Sequence, residues 1–403
     1  MQQEMTEQSE KKAEKQPEQP VCTKKALSWE TLVFLVLVVG AFGAIGAKMG
    51  VTNMLNTLMN TAYELLIGTV FYIMAIAVLA GALSALLTEF GVVSAINKLL
   101  SPLMKPLYGL PGASIVGVLA TYLSDNPAIL TLADDKNFLR YFKKYQVPAL
   151  TNIGTAFGMG LIISTFMIGA GAASGVNCFK AVLLGNLGAI VGSIVSTRLM
   201  LMFTSKRFGR EADAVEDGNA GGNGVGEDRR VVRSGNAASR FLAALLEGGQ
   251  TGVDMGIAII PGVLIICSLV MMLSKGPGDG GVYTGAAYEG IALLPWLGGK
   301  IEFILKPLFG FTSPEAIAVP ITALGAAGAA IGLVPDMLKQ GLANSHDIAV
   351  FTAMCMCWSG YLSTHVAMMD SLHYRELTGK AIACHTLGGI AAGVAANLLC
   401  VFL

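Results

Sequence analysis

Long runs without a charged residue constrain this chain more than any other feature. No Asp, Glu, Lys or Arg occurs within 31–47, 65–88, 145–179, 181–197, 255–274, 316–335 or 348–369, and only Lys380 interrupts 377–403. Most of these runs reach the roughly 20 apolar residues that an α-helix needs to cross a bilayer's hydrocarbon core. Of 403 residues 54% are hydrophobic and 13% charged, about half the charge expected of a soluble domain. The sequence therefore predicts an all-α polytopic membrane protein whose first partner is the lipid bilayer. Its net charge of zero offers no bulk attraction to nucleic acid.

Two stretches break the apolar pattern. Residues 1–27 carry Lys11, Lys12, Lys15, Lys24 and Lys25 among Glu, Gln and Pro, the composition of a disordered tail. Residues 204–240 are charged, rich in Gly and Asn, and lack apolar periodicity, which reads as a flexible linker at mid-chain. The apolar run after the tail has no A-x-A cleavage pattern and is expected to persist as the first helix.

The segments on either side of the linker resemble each other. Lys105-Pro106-Leu107 corresponds to Lys306-Pro307-Leu308 at a shift of 201, and "KAVLLGNLGAIVGS" from Lys180 matches "KAIACHTLGGIAAG" from Lys380 at a shift of 200. Two matches in the same order at nearly one offset indicate a duplicated unit. The expected organisation is a tail (1–27), a first transmembrane helix with an amphipathic connector (28–62), a first repeat (63–203), the linker (204–240) and a second repeat (241–403).

Positive charge sets the expected topology. A cytoplasmic amino terminus puts Lys98, Lys105 and the basic stretch Lys136, Arg140, Lys143 and Lys144 on one side, so residues of about 110–133 must enter and leave on that side as a re-entrant hairpin. Ser124-Asp125-Asn126-Pro127 is a helix breaker suited to its tip. The second hairpin, about 313–334, has the small tip Gly325-Ala326-Ala327-Gly328, and the second repeat starts from the face opposite to the first. The halves are therefore read as inverted, each with a re-entrant hairpin and a broken helix. Parallel halves, with both hairpins crossing fully, are the alternative; Lys300 and Lys306 fall on the outer side in the inverted reading. The expected location is the plasma membrane (in a bacterium, the inner membrane).

Irregular backbone at membrane depth exposes N–H and C=O groups that can hold a solute or ion. Candidate breaks are the two hairpin tips, Thr151-Asn152-Ile153-Gly154-Thr155, and Trp358-Ser359-Gly360-Tyr361. Asp125 is the acid placed deepest, able either to hold a cation or proton or to cap the following helix. His365, beside Ser363 and Thr364, can carry a proton or pack two helices as a neutral ring. Asp254, Asp370, His346 and His373 read as interfacial, Glu315 as a first-turn residue, and His385 as a packing contact. The small residues of 181–196 and 381–396 have the spacing of close helix contacts. Cys355 and Cys357 point to different sides of one helix and lack a second pair, so no metal site is expected. The sequence contains no P-loop, H-E-x-x-H or G-x-S-x-G motif, so it gives no reason to expect an enzyme or a bound cofactor.

"GGQTGVDMGIAIIPGVLIICSLVMML" (248–273), the Lys-Pro-Leu arms and "YLSDNPAIL" (122–130) resemble the Gate, or nucleoside-recognition domain, membrane protein family. They also resemble its wider architecture, shared with concentrative nucleoside transporters and the membrane part of bacterial ferrous iron transporters. The resemblance covers about 60–400. It implies secondary transport of a small polar solute, nucleoside-like by the family's name, driven by a proton or sodium gradient, with a homo-oligomer left open. The implied binding residues are Ser124, Asp125, Asn126, Thr151, Asn152 and Thr155, with Ser359, Ser363, Thr364 and His365 in the second half. One departure is that Gln250-Thr251 precedes a span rather than a hairpin tip, and no Asn-Glu pair occurs. A non-transporting scaffold or assembly factor, of the spore-maturation kind, is the competing reading.

Overall fold

The computed structural model describes residues 25–124, 136–139, 141–215 and 232–403. Those residues are helical throughout, apart from loops and one isolated backbone bridge. Among the described residues, six helices are long and apolar enough to cross a membrane: Trp29–Met49, Val51–Glu89, Ala149–Ala173, Phe179–Phe208, Ala237–Ser274 and Arg375–Phe402. Many of their large apolar side chains are exposed, as lipid-facing surfaces require.

The chain separates into Met1–Val51 and Thr52–Leu403. The first unit holds α1 (Trp29–Met49), opened by a capping box in which Ser28 Oγ accepts from the Thr31 amide at 3.4 Å and Thr31 Oγ1 accepts from the Ser28 amide at 3.3 Å.

The second unit runs twice through one succession of elements. A long helix containing a π-helical turn comes first: α2 (Val51–Glu89, π at Leu65–Val70), and later α6 (Ala237–Ser274, π at Val263–Cys267). An amphipathic helix follows, α3 (Val92–Tyr108) or α7 (Leu293–Phe309), and then a hairpin. Of the first hairpin the arm Ser114–Leu123 is described; the second runs through Ala318–Ala323, a turn at 324–326, and Ala327–Gly332 into Val334–Lys339. Each half closes with a broken helix (α4, Ala149–Thr155 and Gly160–Ala173; α8, Ser345–Cys357 and Tyr361–Ser371) and a last helix (α5, Phe179–Phe208; α9, Thr378–Leu399).

The backbone repeats in detail. Left-handed residues occur at Gly91 and Ala292, at Gly109 and Gly310, and at Met159 and Gly360. Each pair is 201 positions apart (91 to 292, 109 to 310, 159 to 360), the shift that relates Lys105 to Lys306. A left-handed residue costs little in glycine but about 1–2 kcal/mol elsewhere, so Met159 and Ala292 hold a conformation that their own side chains disfavour.

Equivalent helices pack on each other antiparallel. Along α2 and α6 the close approaches are Met74 with Gly256, Ala77 with Gly252, and Gly81 with Gly248, one series rising as the other falls. A Cβ on either Gly81 or Gly248 would run into the other's carbonyl oxygen, so only glycine permits this separation. Along α5 and α9, Gly188 meets Ala392 and Gly192 meets Gly388. The ends agree: Lys180 Nζ at the start of α5 donates to the Leu403 carbonyl at 3.4 Å, and Arg207 near its end pairs with Glu376 at 3.1 Å.

Several boundaries differ from the sequence reading. The polar stretch 51–64, expected as a separate connector, continues unbroken into the next helix. Its polar face is satisfied by the loop after α6: Asn53 and Asn60 donate to the Tyr283 and Gly285 carbonyls at 3.0 and 2.8 Å, and Thr61 Oγ1 accepts from the Tyr288 amide at 2.9 Å. That loop closes on Glu289, 2% exposed, whose carboxylate accepts from the Thr284 hydroxyl and from the Thr284 and Gly285 amides. Burial alone would raise this carboxyl; the Thr284 and backbone donors outweigh it and hold Glu289 below the ordinary glutamate range.

The linker is shorter than 204–240 and docked at both ends. Helix α5 continues to Phe208 and α6 begins at Ala237. Asp213 bridges Lys143 through the backbone and by an ion pair of 2.7 Å, while Arg233 and Arg240 hold buried Glu89 at 2.8 and 2.9 Å. Residues 1–24 and 216–231, the remainder of the expected tail and linker, lie outside the described residues.

Candidate functional site between the broken helices

The two broken helices are interrupted at equivalent places by different sequences. In α8 the helix stops at Cys357 and restarts at Tyr361 after Gly360, at φ 64°. In α4 the expected break at Thr151–Thr155 is helical instead; the interruption follows it, at 156–159, ending on Met159 at φ 55°. Within the pentapeptide Thr155 Oγ1 donates to the Thr151 carbonyl at 2.7 Å, one turn back, so its hydroxyl is satisfied without breaking the helix. Tyr122, from the first hairpin arm, packs where a Cβ on Gly160 would otherwise lie, and its hydroxyl donates to Asn186 Oδ1 at 3.0 Å.

Four helices meet behind these breaks in a buried polar network. Asn152 of α4, fully buried, donates from Nδ2 to Ser196 Oγ of α5 and to the Ala381 carbonyl of α9, both at 2.9 Å. Ser196 Oγ lies 3.0 Å from His385 Nδ1, and His385 Nε2 meets the Cys357 carbonyl at the α8 break. A backbone carbonyl only accepts, so the partners assign the proton to Nε2, and Nδ1 accepts from the Ser196 hydroxyl. The His385 ring lies 4.6 Å, centroid to centroid, from the ring of His365. His365 Nδ1 donates to the Tyr361 carbonyl at 2.6 Å, which leaves Nε2 as an acceptor without a partner among the described residues. Tyr361 stands 6.1 and 6.2 Å from the two imidazoles, and its hydroxyl bonds Thr386. Among the described residues, Asn152 Oδ1 is a second buried acceptor without a partner, and Trp358 Nε1 a buried donor without one.

Among the expected site residues, Asn152 and His365 are joined through Ser196 and His385. Thr151 Oγ1 donates to Met369 Sδ on α8 at 3.3 Å, and Thr155, Ser359 and Thr364 are buried nearby along the same two helices. The side chain of Ser363 lies outside the described residues, as do Asp125 and Asn126. Ser124 ends the first hairpin arm and lines a different cavity, of about 140 Å³, with Gly81 and Ser84 of α2, Ile162 of α4, and Gly248 and Thr251 of α6. The second hairpin tip packs on the π-turns: Gly325 on Ile266, Gly332 on Thr69, with Cys267 Sγ donating to the Ala329 carbonyl at 2.9 Å. His385 and Ser196 were not among the expected site residues. Their one sequence signal is that a hydroxyl and an imidazole sit in otherwise small-residue helices, at positions whose counterparts in the other half are apolar or glycine.

No protein-family model and no curated protein matches the chain. Solved structures do. That of CNTnw in an inward-facing substrate-bound state aligns at a TM-score of 0.52 and 15% identity, over 92% of this chain and 85% of that one. A CNTnw variant in the intermediate 1 state aligns at 0.51 and 15%, over the same shares. The chain is thus a multi-pass helical membrane protein with the fold of these concentrative nucleoside transporter structures.

Proposed function

We propose that the chain is a secondary transporter of a small polar solute, nucleoside-like in class, moved by a proton or sodium gradient. The observation that carries this reading is the pairing of two interrupted helices around a buried network with unpartnered acceptors, in a fold shared with a transporter. A structural core has no reason to leave Asn152 Oδ1 and His365 Nε2 without donors, each at a cost of about 1–3 kcal/mol. A site that must bind and release a hydrogen-bonding solute does. Ser124, Asp125, Asn126, Thr151, Asn152, Thr155, Ser359, Ser363, Thr364 and His365 are the proposed contacts, and membership of the Gate family is proposed on the same grounds.

The halves are inferred to be inverted. Antiparallel packing of equivalent helices, seen in both α2 with α6 and α5 with α9, is what a two-fold axis in the membrane plane produces; an axis along the membrane normal would leave them parallel. With the amino terminus in the cytoplasm, the linker lies inside and the 275–292 loop outside.

Uptake by the purified full-length protein in proteoliposomes tests the function. Radiolabelled uridine, adenosine and cytidine, presented under an inward proton or sodium gradient, should accumulate above protein-free vesicles. If no nucleoside, base or small organic ion accumulates or shifts the thermal midpoint, the transport reading fails and the scaffold reading takes its place.

A further inference from the structure

We propose that the paired imidazoles of His365 and His385 form a one-proton site, and that the ion coupled to transport is a proton bound at His365 Nε2. This rests on the transporter reading for its coupling role but not for the site itself.

The geometry leaves one place for a proton. His385 has both nitrogens engaged, Nε2 with the Cys357 carbonyl and Nδ1 with Ser196. His365 has one engaged nitrogen and one bare lone pair, on a ring with no exposed surface. Protonation there forms one N–H bond at the expense of one O–H bond of hydronium and leaves water; release reverses the exchange. A second proton would set two cationic rings 4.6 Å apart with no described anion between them, so the pair takes one.

The charged and titratable groups on the surrounding helices are engaged elsewhere. Asp370 of α8 lies 3.8 Å from Arg375, Lys380 of α9 lies over the Phe203 ring, and Arg198 of α5 donates to the Leu107 and Pro106 carbonyls. Cys384 of α9 and Cys355 and Cys357 of α8 are buried thiols, Tyr361 bonds Thr386, and α4 offers only the neutral Thr151 and Asn152. No described carboxylate bonds to either ring, so sodium, which seeks several oxygen ligands, has no cage at this imidazole nitrogen. The same chain leads back to the proposed solute site. Placing the proton on His385 Nδ1 instead would turn the Ser196 hydroxyl around and alter what Asn152 can offer a solute.

Two measurements on the full-length protein test this. In detergent, with ¹⁵N-labelled histidine, the ring shifts at about pH 8 should report Nδ1–H for His365 and Nε2–H for His385. Acidification within the range in which the protein stays folded should add one proton to the pair, lost in His365→Gln. Two independent protonations, none, or a proton taken up by His385 in His365→Gln overturns the site. In proteoliposomes, wild-type uridine uptake should follow an imposed pH gradient without sodium. Uptake that needs sodium and ignores pH overturns proton coupling while the transport reading stands. A one-proton titration without flux of any solute leaves the site and removes the transport reading.

Discussion

The two broken helices share a backbone and differ in chemistry. Met159 and Gly360 adopt the same left-handed turn at the same place in each half, yet one half pays strain there and the other does not. A shift of 201 places Ala353 opposite Asn152, Ser164 opposite His365 and Gly160 opposite Tyr361. The polar network is therefore built once, across the halves, by Asn152 and Ser196 from the first and His365 and His385 from the second. The succession of backbone elements is common to the halves; the polar network comes from a few buried positions at which they differ. The hairpins diverge too, since the second ends in Gly325 and Ala326 where the first carries Ser124-Asp125-Asn126.

Breaking the equivalence of the halves should have the largest effect. Gly81→Leu forces a side chain into the Gly248 backbone and should abolish monodisperse protein in size-exclusion chromatography. Gly68→Ala, where nothing lies within 4 Å, should leave it intact. Comparable loss in both variants would mean that the α2–α6 approach is not what joins the halves.

Removing the asymmetry should cost less. Asn152→Ala gives the first half the residue that the second has at that place. It deletes two buried hydrogen bonds, for an expected loss of about 1–3 kcal/mol in thermal or denaturant unfolding. Exchanging the turn residues sharpens the backbone side of the comparison. Gly360→Ala should destabilise by about 1–2 kcal/mol through backbone strain, whereas Met159→Gly relieves that strain but empties a buried position and should cost about 2–4 kcal/mol. A neutral or stabilised Met159→Gly would show that the strain at this turn outweighs the packing of the methionine.

The smallest effect concerns the 275–292 loop. Its Glu289 carboxyl is held below the ordinary range, so its stabilisation is present above the unfolded-state pKa and lost as pH falls through the lower folded-state value. Glu289→Gln should lower the thermal midpoint near neutrality, and the difference from wild type should shrink on acidification. A difference that grows at low pH would contradict the sign.

The sequence made the scaffold legible because its signals are redundant. Uncharged runs, Lys-Pro-Leu repeated at one shift, and paired small-residue helices each point to duplicated membrane helices. The buried polar network was half legible. Thr151, Asn152 and His365 drew notice as polar residues in apolar spans, but His385 hid among the glycines of a helix whose pattern speaks for packing. The sequence puts the α4 break too early because Gly154 and two threonines read as a breaker, whereas both hydroxyls find partners while that segment stays helical and the turn falls on a methionine. The polar 51–64 stretch looked like a connector because its partners, the 283, 285 and 288 backbone groups, are remote in sequence.

The relation between the halves is tested most directly by the sidedness of two equivalent loops. Asn177 precedes α5 and Arg375 precedes α9; both are exposed. Each is replaced singly by cysteine in protein lacking Cys22 and Cys400, with the five buried thiols left in place, and intact right-side-out membranes are treated with an impermeant maleimide. Inverted halves predict labelling of Asn177→Cys from outside and of Arg375→Cys only after permeabilisation. Labelling of both from the same side would contradict the inversion and, with it, the proposed two-fold assembly of the site.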